Sequence, residues 1–157
     1  MPPTDLVVYG YHGTTATAAQ SILSATDPTT RFWSSYNRED WLGDGVYFFQ
    51  DAPERARLWP TLRYPVHTRG TEAVVIGAKI NLERCIDLLD VSSVALFAGR
   101  YSRMVRNFRK KKVALPKNNG PARYFDRELV NFVVERSKRT VNAQCVRAAF
   151  EEGKPLV

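Results

Sequence analysis

The sequence predicts a mixed α+β fold built on one core. Three observations lead there. Runs rich in β-branched and aromatic residues occur at residues 6–11, 46–49 and 74–80, which is the composition of strands. Apolar residues recur at helical spacing over residues 16–24 and again beyond residue 90. No internal repeat or low-complexity linker divides the chain, and 157 residues suit a single domain.

The elements follow in order. Leu6, Val7, Val8, Tyr9, Gly10 and Tyr11 form the first strand, which His12-Gly13-Thr14-Thr15 ends. Thr14 or Thr15 is a suitable N-cap for the helix at 16–24, where Ala18, Ala19, Ile22 and Leu23 share a face. Asp27-Pro28 breaks that helix. Residues 31–42 are irregular, with Phe32, Trp33, Tyr36 and Trp41 among polar neighbours. Gly43-Asp44-Gly45 then makes a turn feeding a short strand through Val46, Tyr47, Phe48 and Phe49. Asp51 and Pro53 start a helix over 52–59. Residues 74–80 are the most strand-like run, and residues 86–90 are a further candidate. Residues 91–112 read as a helix. Phe125, Leu129, Phe132 and Val133 fall at helical spacing, although 129–134 also passes as a buried strand. Residues 143–150 read as a closing strand.

Composition narrows the function classes. Cys85 and Cys145 lie far apart without a CxxC spacing, which argues against a disulfide scaffold or a zinc site. His12 and His67 are the only histidines, too few for a histidine-built metal cluster, so no metal is expected. The first residues lack the basic start and long apolar run of a secretory signal, and no stretch approaches a membrane span. A reducing, cytoplasmic setting is therefore expected. The net charge of +7 favours anionic partners such as nucleotides, nucleic acid or acidic proteins.

Two short motifs carry the chemistry: His12-Gly13-Thr14, and Gly43-Asp44-Gly45-Val46-Tyr47-Phe48. At these residues the chain resembles the ADP-ribosyltransferase superfamily, in its poly(ADP-ribose)-polymerase-like branch. That branch carries a His-Gly-Ser/Thr strand, a Gly-x-Gly-Ile/Val-Tyr-Phe strand and then a glutamate. The resemblance covers residues 6–90 and fades beyond them. It implies a split antiparallel β-sheet core with short flanking helices, and NAD+ bound as substrate in the cleft between the halves. It also implies a mono-ADP-ribosyltransferase that cleaves the nicotinamide–ribose bond and passes ADP-ribose to an acceptor protein or nucleic acid.

The residue types fit that chemistry. Nicotinamide is flat and cationic, so the Tyr47 ring offers it a stacking face. A glycine backbone such as that of Gly13 can meet both the donor and the acceptor of the carboxamide. A His12 nitrogen can hydrogen-bond a ribose hydroxyl. A carboxylate stabilises the oxocarbenium-like transition state. By order and approximate distance Glu128 takes the place of the family's glutamate, although the spacing of its neighbours is helical. Glu151 and Glu152 are the alternatives if the third motif lies elsewhere. The family's second aromatic wall falls at Leu58, so Trp59 is the nearest substitute, and Arg55 stands where the family has a hydroxyl.

A basic row, Arg100, Arg103, Arg106, Arg109, Lys110, Lys111 and Lys112, is either a solvated helix face or a docking surface for an anionic acceptor, with its first four cations expected on one broad face. The rival reading is a non-catalytic module that binds NAD+ or nucleic acid on the same fold. An RNA 2′-phosphotransferase shares the fold, but the further basic motifs it needs are not recognisable here.

Overall fold

The structure is a computed structural model, which describes residues 6–27, 31–37, 40–63, 72–120, 122–140 and 142–150. The fold is α+β, as the sequence predicts. Its contacts divide the chain into two compact units: residues up to Ser35 with Gly45–Glu83, and Tyr36–Asp44 with the residues from Arg84 onward.

The first unit is built on a three-stranded antiparallel sheet of order β2-β1-β3, with β1 Val7–Thr15, β2 Phe49–Gln50 and β3 Ala73–Asn81. β1 pairs with β3 along its whole length, from Val7 opposite Asn81 to Thr15 opposite Ala73. His12-Gly13-Thr14-Thr15 ends the first strand as expected, because β3 supplies ladder partners as far as Thr15. One expectation is corrected here. Val46, Tyr47 and Phe48 are irregular backbone rather than strand. β2 starts only at Phe49, where pairing with Tyr11 begins.

Helix α1 (Ala16–Ser24) follows β1 directly, and Thr15 caps it by accepting the Ala18 N–H at 3.3 Å. α2 spans Pro53–Arg63, longer than the sequence predicts, and runs through Pro60. A mid-helix proline forfeits a hydrogen bond and crowds the preceding turn. Here Pro60 is buried and its Cδ lies 3.0 Å from where a side chain on Gly13 would begin. Glycine on β1 thus makes the room in which α2 packs.

The second unit joins a parallel pair, β4 (Cys85–Asp87) and β5 (Cys145–Arg147), to helices α3 (Val91–Lys110) and α4 (Tyr124–Ser137). Its core is Ile86, Phe97, Val130, Val133 and Ala143, with Leu88, Leu96, Leu129, Val134 and Val146 packed around it. Asp90 caps α3 through the Ser92 N–H at 3.4 Å and also accepts from the Ser92 hydroxyl. That hydroxyl bond, first among its causes, holds the Asp90 carboxyl below its ordinary value. The closing strand is shorter than 143–150, since β4 offers partners for only three residues. The ambiguous run at 129–134 is helical: its apolar side chains meet the core at turns of α4. Among the described residues no helix is long and apolar enough to cross a membrane.

Candidate functional site

In the first unit the site begins with the alternation of the β1 backbone. Leu82 N–H donates to the Leu6 carbonyl at 2.8 Å, and Asp51 N–H donates to the Tyr9 carbonyl at 3.0 Å. In an antiparallel ladder the N–H and C=O of one residue point to the same side, and successive residues alternate. Even-numbered residues of β1 therefore bond β3, and odd-numbered ones face β2. Gly13 faces β2, but that ladder ends at the Tyr11–Phe49 pair. The N–H and C=O of Gly13 project one step past its end. Gly13 is buried, and these two groups have no hydrogen-bond partner among the described residues.

Continued by one pair, the β2 register would set Tyr47 opposite Gly13. Instead the Tyr47 carbonyl lies 2.9 Å from His12 Nδ1. A carbonyl only accepts, so Nδ1 is the donor in this contact, and in the tautomer protonated at Nδ1 the lone pair lies on Nε2. Two rings hold the imidazole in place. Phe32 meets it edge-on at 5.5 Å between centroids and Phe48 lies at 5.6 Å, with the two phenyl rings 5.4 Å apart. The segment carrying Phe32 is tied to the second motif by paired bonds between Ser35 and Gly45, at 2.7 and 3.1 Å. Sequence reasoning did not assign Phe32 or Phe48 to the site. Their signal was the clustering of aromatics in the irregular stretch and in the tyrosine motif.

The remaining expected residues of this unit fall as follows. Thr14 lies on β1 opposite Val74 of β3. Trp59, on α2, packs edge-on against Phe49 at 5.5 Å, and the Arg55 guanidinium stands 5.5 Å from both of those rings. Arg55 thus extends an aromatic stack. Leu58 is exposed.

Glu128 belongs to the second unit and sits on α4, as the helical spacing of its neighbours predicts, and not on a strand such as the resemblance would give it. Its carboxylate accepts from Arg127 Nη1 at 2.8 Å. Arg127 also ion-pairs with Asp44 of the glycine motif. Asn131, one turn further along α4, accepts the Asp44 N–H at 2.8 Å. A side chain on Gly43 would begin 2.3 Å from Asn131 Oδ1, and Gly43 has φ of +81°. The Gly43-Asp44 half of the motif is therefore shaped by docking on α4. Glu151 and Glu152 lie outside the described residues.

The first four cations of the basic row do not all share one exposed face. Phe97 and Met104 are buried on α3, and Arg100 is half-buried on the same stripe, because steps of three drift around a helix of 3.6 residues per turn. The exposed cations begin at Arg103 and continue through Arg106, Arg109 and Lys110 to Lys111 and Lys112. None of these has a carboxylate partner among the described residues. Nor do the described residues bring together three or more side chains able to hold a metal ion.

No family model, curated protein or solved structure matches the chain.

Proposed function

We propose that the chain is an NAD+-dependent mono-ADP-ribosyltransferase with the split-sheet fold of that superfamily. The observation that carries this reading is the backbone edge of Gly13, which has no hydrogen-bond partner among the described residues, beside Tyr47 and His12. A buried N–H and C=O left without partners cost stability, which a ligand can restore. A primary carboxamide has the matching pattern: its oxygen accepts from the Gly13 N–H, and its NH2 donates to the Gly13 carbonyl. His12 Nε2, with its lone pair left free by the Nδ1 bond, accepts a ribose hydroxyl. Tyr47 supplies the stacking face for the cationic ring.

With nicotinamide and ribose held from both sides, the C1′–nitrogen bond breaks. Its electron pair moves to the ring nitrogen and cancels the positive charge there. The acceptor nucleophile takes C1′ as positive charge spreads over the ribose ring. In this reading a carboxylate steadies that charge, the role that the resemblance gives to Glu128. The exposed cations from Arg103 to Lys112 draw in an acidic acceptor protein or nucleic acid, and their lack of carboxylate partners among the described residues favours that role.

The test is release of nicotinamide from NAD+ by the full chain, followed by chromatography. Release is expected, and His12→Ala is expected to lower it more than tenfold with circular dichroism unchanged. Loss of release in Glu128→Gln, but not in Glu151→Gln or Glu152→Gln, is the expected pattern for the carboxylate. NAD+ binding without any release would instead make the chain a non-catalytic module. Absence of both binding and release would overturn the proposal.

A further inference from the structure

We propose that Cys85 and Cys145 form a dithiol site that reacts with low-molecular-weight disulfides and closes a reversible disulfide between β4 and β5. The inference rests on the second unit alone and is independent of the NAD+ reading. The two cysteines lie far apart in the sequence, yet the parallel register sets Cys85 opposite Cys145, Ile86 opposite Val146 and Asp87 opposite Arg147. Side chains alternate across a strand. Ile86 is buried and Val146 packs against the same core, so both cysteines point to the opposite, half-exposed face. Neighbouring strands lie about 4.7–4.9 Å apart, within the range of roughly 4.4–6.8 Å between Cα atoms that a disulfide spans. Both thiols are free.

The pair is also chemically unequal. The Cys145 thiol donates to the Arg84 carbonyl at 3.9 Å, and the two adjacent thiols perturb each other, Cys85 holding Cys145 below its ordinary value and Cys145 pushing Cys85 up. Cys145 is thus the attacking thiolate and Cys85 the resolving thiol. The Arg147–Asp87 ion pair, at 3.2 Å, lies two residues along on the same face. In the first step the Cys145 thiolate attacks one sulfur of the small disulfide, forming a mixed disulfide and expelling one thiolate. Cys85 then gives up its proton and attacks the Cys145 sulfur, expelling the second thiolate. Two protons leave the protein and end on two small thiols, so the protein dithiol is oxidised as the small disulfide is reduced. The new bond closes a loop that contains α3 and α4.

The experiment incubates the full chain over graded ratios of reduced to oxidised glutathione, followed by alkylation and peptide mapping. The expected product is one intrachain Cys85–Cys145 link per molecule, independent of protein concentration and reversed by excess reduced glutathione. Its thermal midpoint should lie several degrees above that of the reduced chain, because the cross-link restrains the unfolded state. Cys85→Ser should stall at a stable mixed disulfide on Cys145. Both thiols alkylated at every ratio, links only between chains, or a mixed disulfide that persists in the unsubstituted chain would each overturn the proposal. The unsubstituted chain decides the matter even if the serine variant fails to fold.

Discussion

Replacing Gly13 by alanine tests the packing of α2 on β1. The added Cβ would stand 1.7 Å from the Ala56 carbonyl oxygen, 2.6 Å from its carbonyl carbon and 3.0 Å from Pro60 Cδ. The first distance is half the 3.4 Å at which ordinary contact begins. The obstructing atoms are mainly helix backbone, so no rotamer change relieves the clash. α2 must retreat from the strand, although Ala56 is wholly buried there. Overpacking of this kind costs about 1–3 kcal/mol, and a backbone obstacle places Gly13→Ala near the upper end. For a chain of this size, about 3 kcal/mol lowers the melting temperature by roughly 6–12 °C. Thermal unfolding followed by circular dichroism measures the shift, and urea titration checks it. Gly99→Ala is the control. Gly99 lies in α3 with nothing within 4 Å of the added carbon, so alanine there should stabilise by about 0.5–1 kcal/mol. Equal melting temperatures for Gly13→Ala and the unsubstituted chain would refute the packing argument.

Gly43→Ala should destabilise too, by about 1–2 kcal/mol, because its φ of +81° disfavours a side chain and Asn131 Oδ1 blocks the space. Unfolding at an unchanged urea midpoint would remove that role. Tyr47→Ala should weaken NAD+ binding by about 1–2 kcal/mol, roughly 5–30-fold, as the loss of one stacking contact predicts; calorimetry showing equal affinities would exclude stacking on that ring. Asp90 gives the pH dependence. Its carboxyl is held below 3.8, so its contribution is fully present above that value and is lost as pH falls through the lowered one. Asp90→Asn keeps an acceptor at the cap of α3, so the advantage of the aspartate in melting temperature should shrink from about pH 6 to about pH 2.5. A constant difference across that range would contradict the assignment. Reversing Arg106, Arg109 and Lys111 to glutamate should cut modification of an acidic acceptor strongly at low salt, yet leave nicotinamide release without acceptor nearly unchanged. Intact acceptor modification at low salt would reduce the row to a solvated face.

The sequence by itself determined what depends on neighbours within a few residues. The β-branched runs around Val8 and Val75 became β1 and β3, and the spacing of Ala19 and Ile22 became α1 behind its Thr15 cap. The helical spacing of Phe125, Leu129 and Val133 outweighed the strand reading, because periodicity reports which face meets a core. It also named His12, Gly13 and Tyr47, which the fold brings together through the Nδ1 contact and the end of the β2 ladder. Tertiary structure decided what depends on distant partners. Val46 to Phe48 have strand composition, yet no strand forms there, because a strand exists only where another offers it a ladder. Gly13 and Gly43 look like generic motif glycines until α2 and α4 occupy the space their side chains would fill. The pairing of Cys85 with Cys145 has no local signal at all. It follows from a parallel register between two three-residue strands, and parallel strands pair only after the chain between them has crossed over.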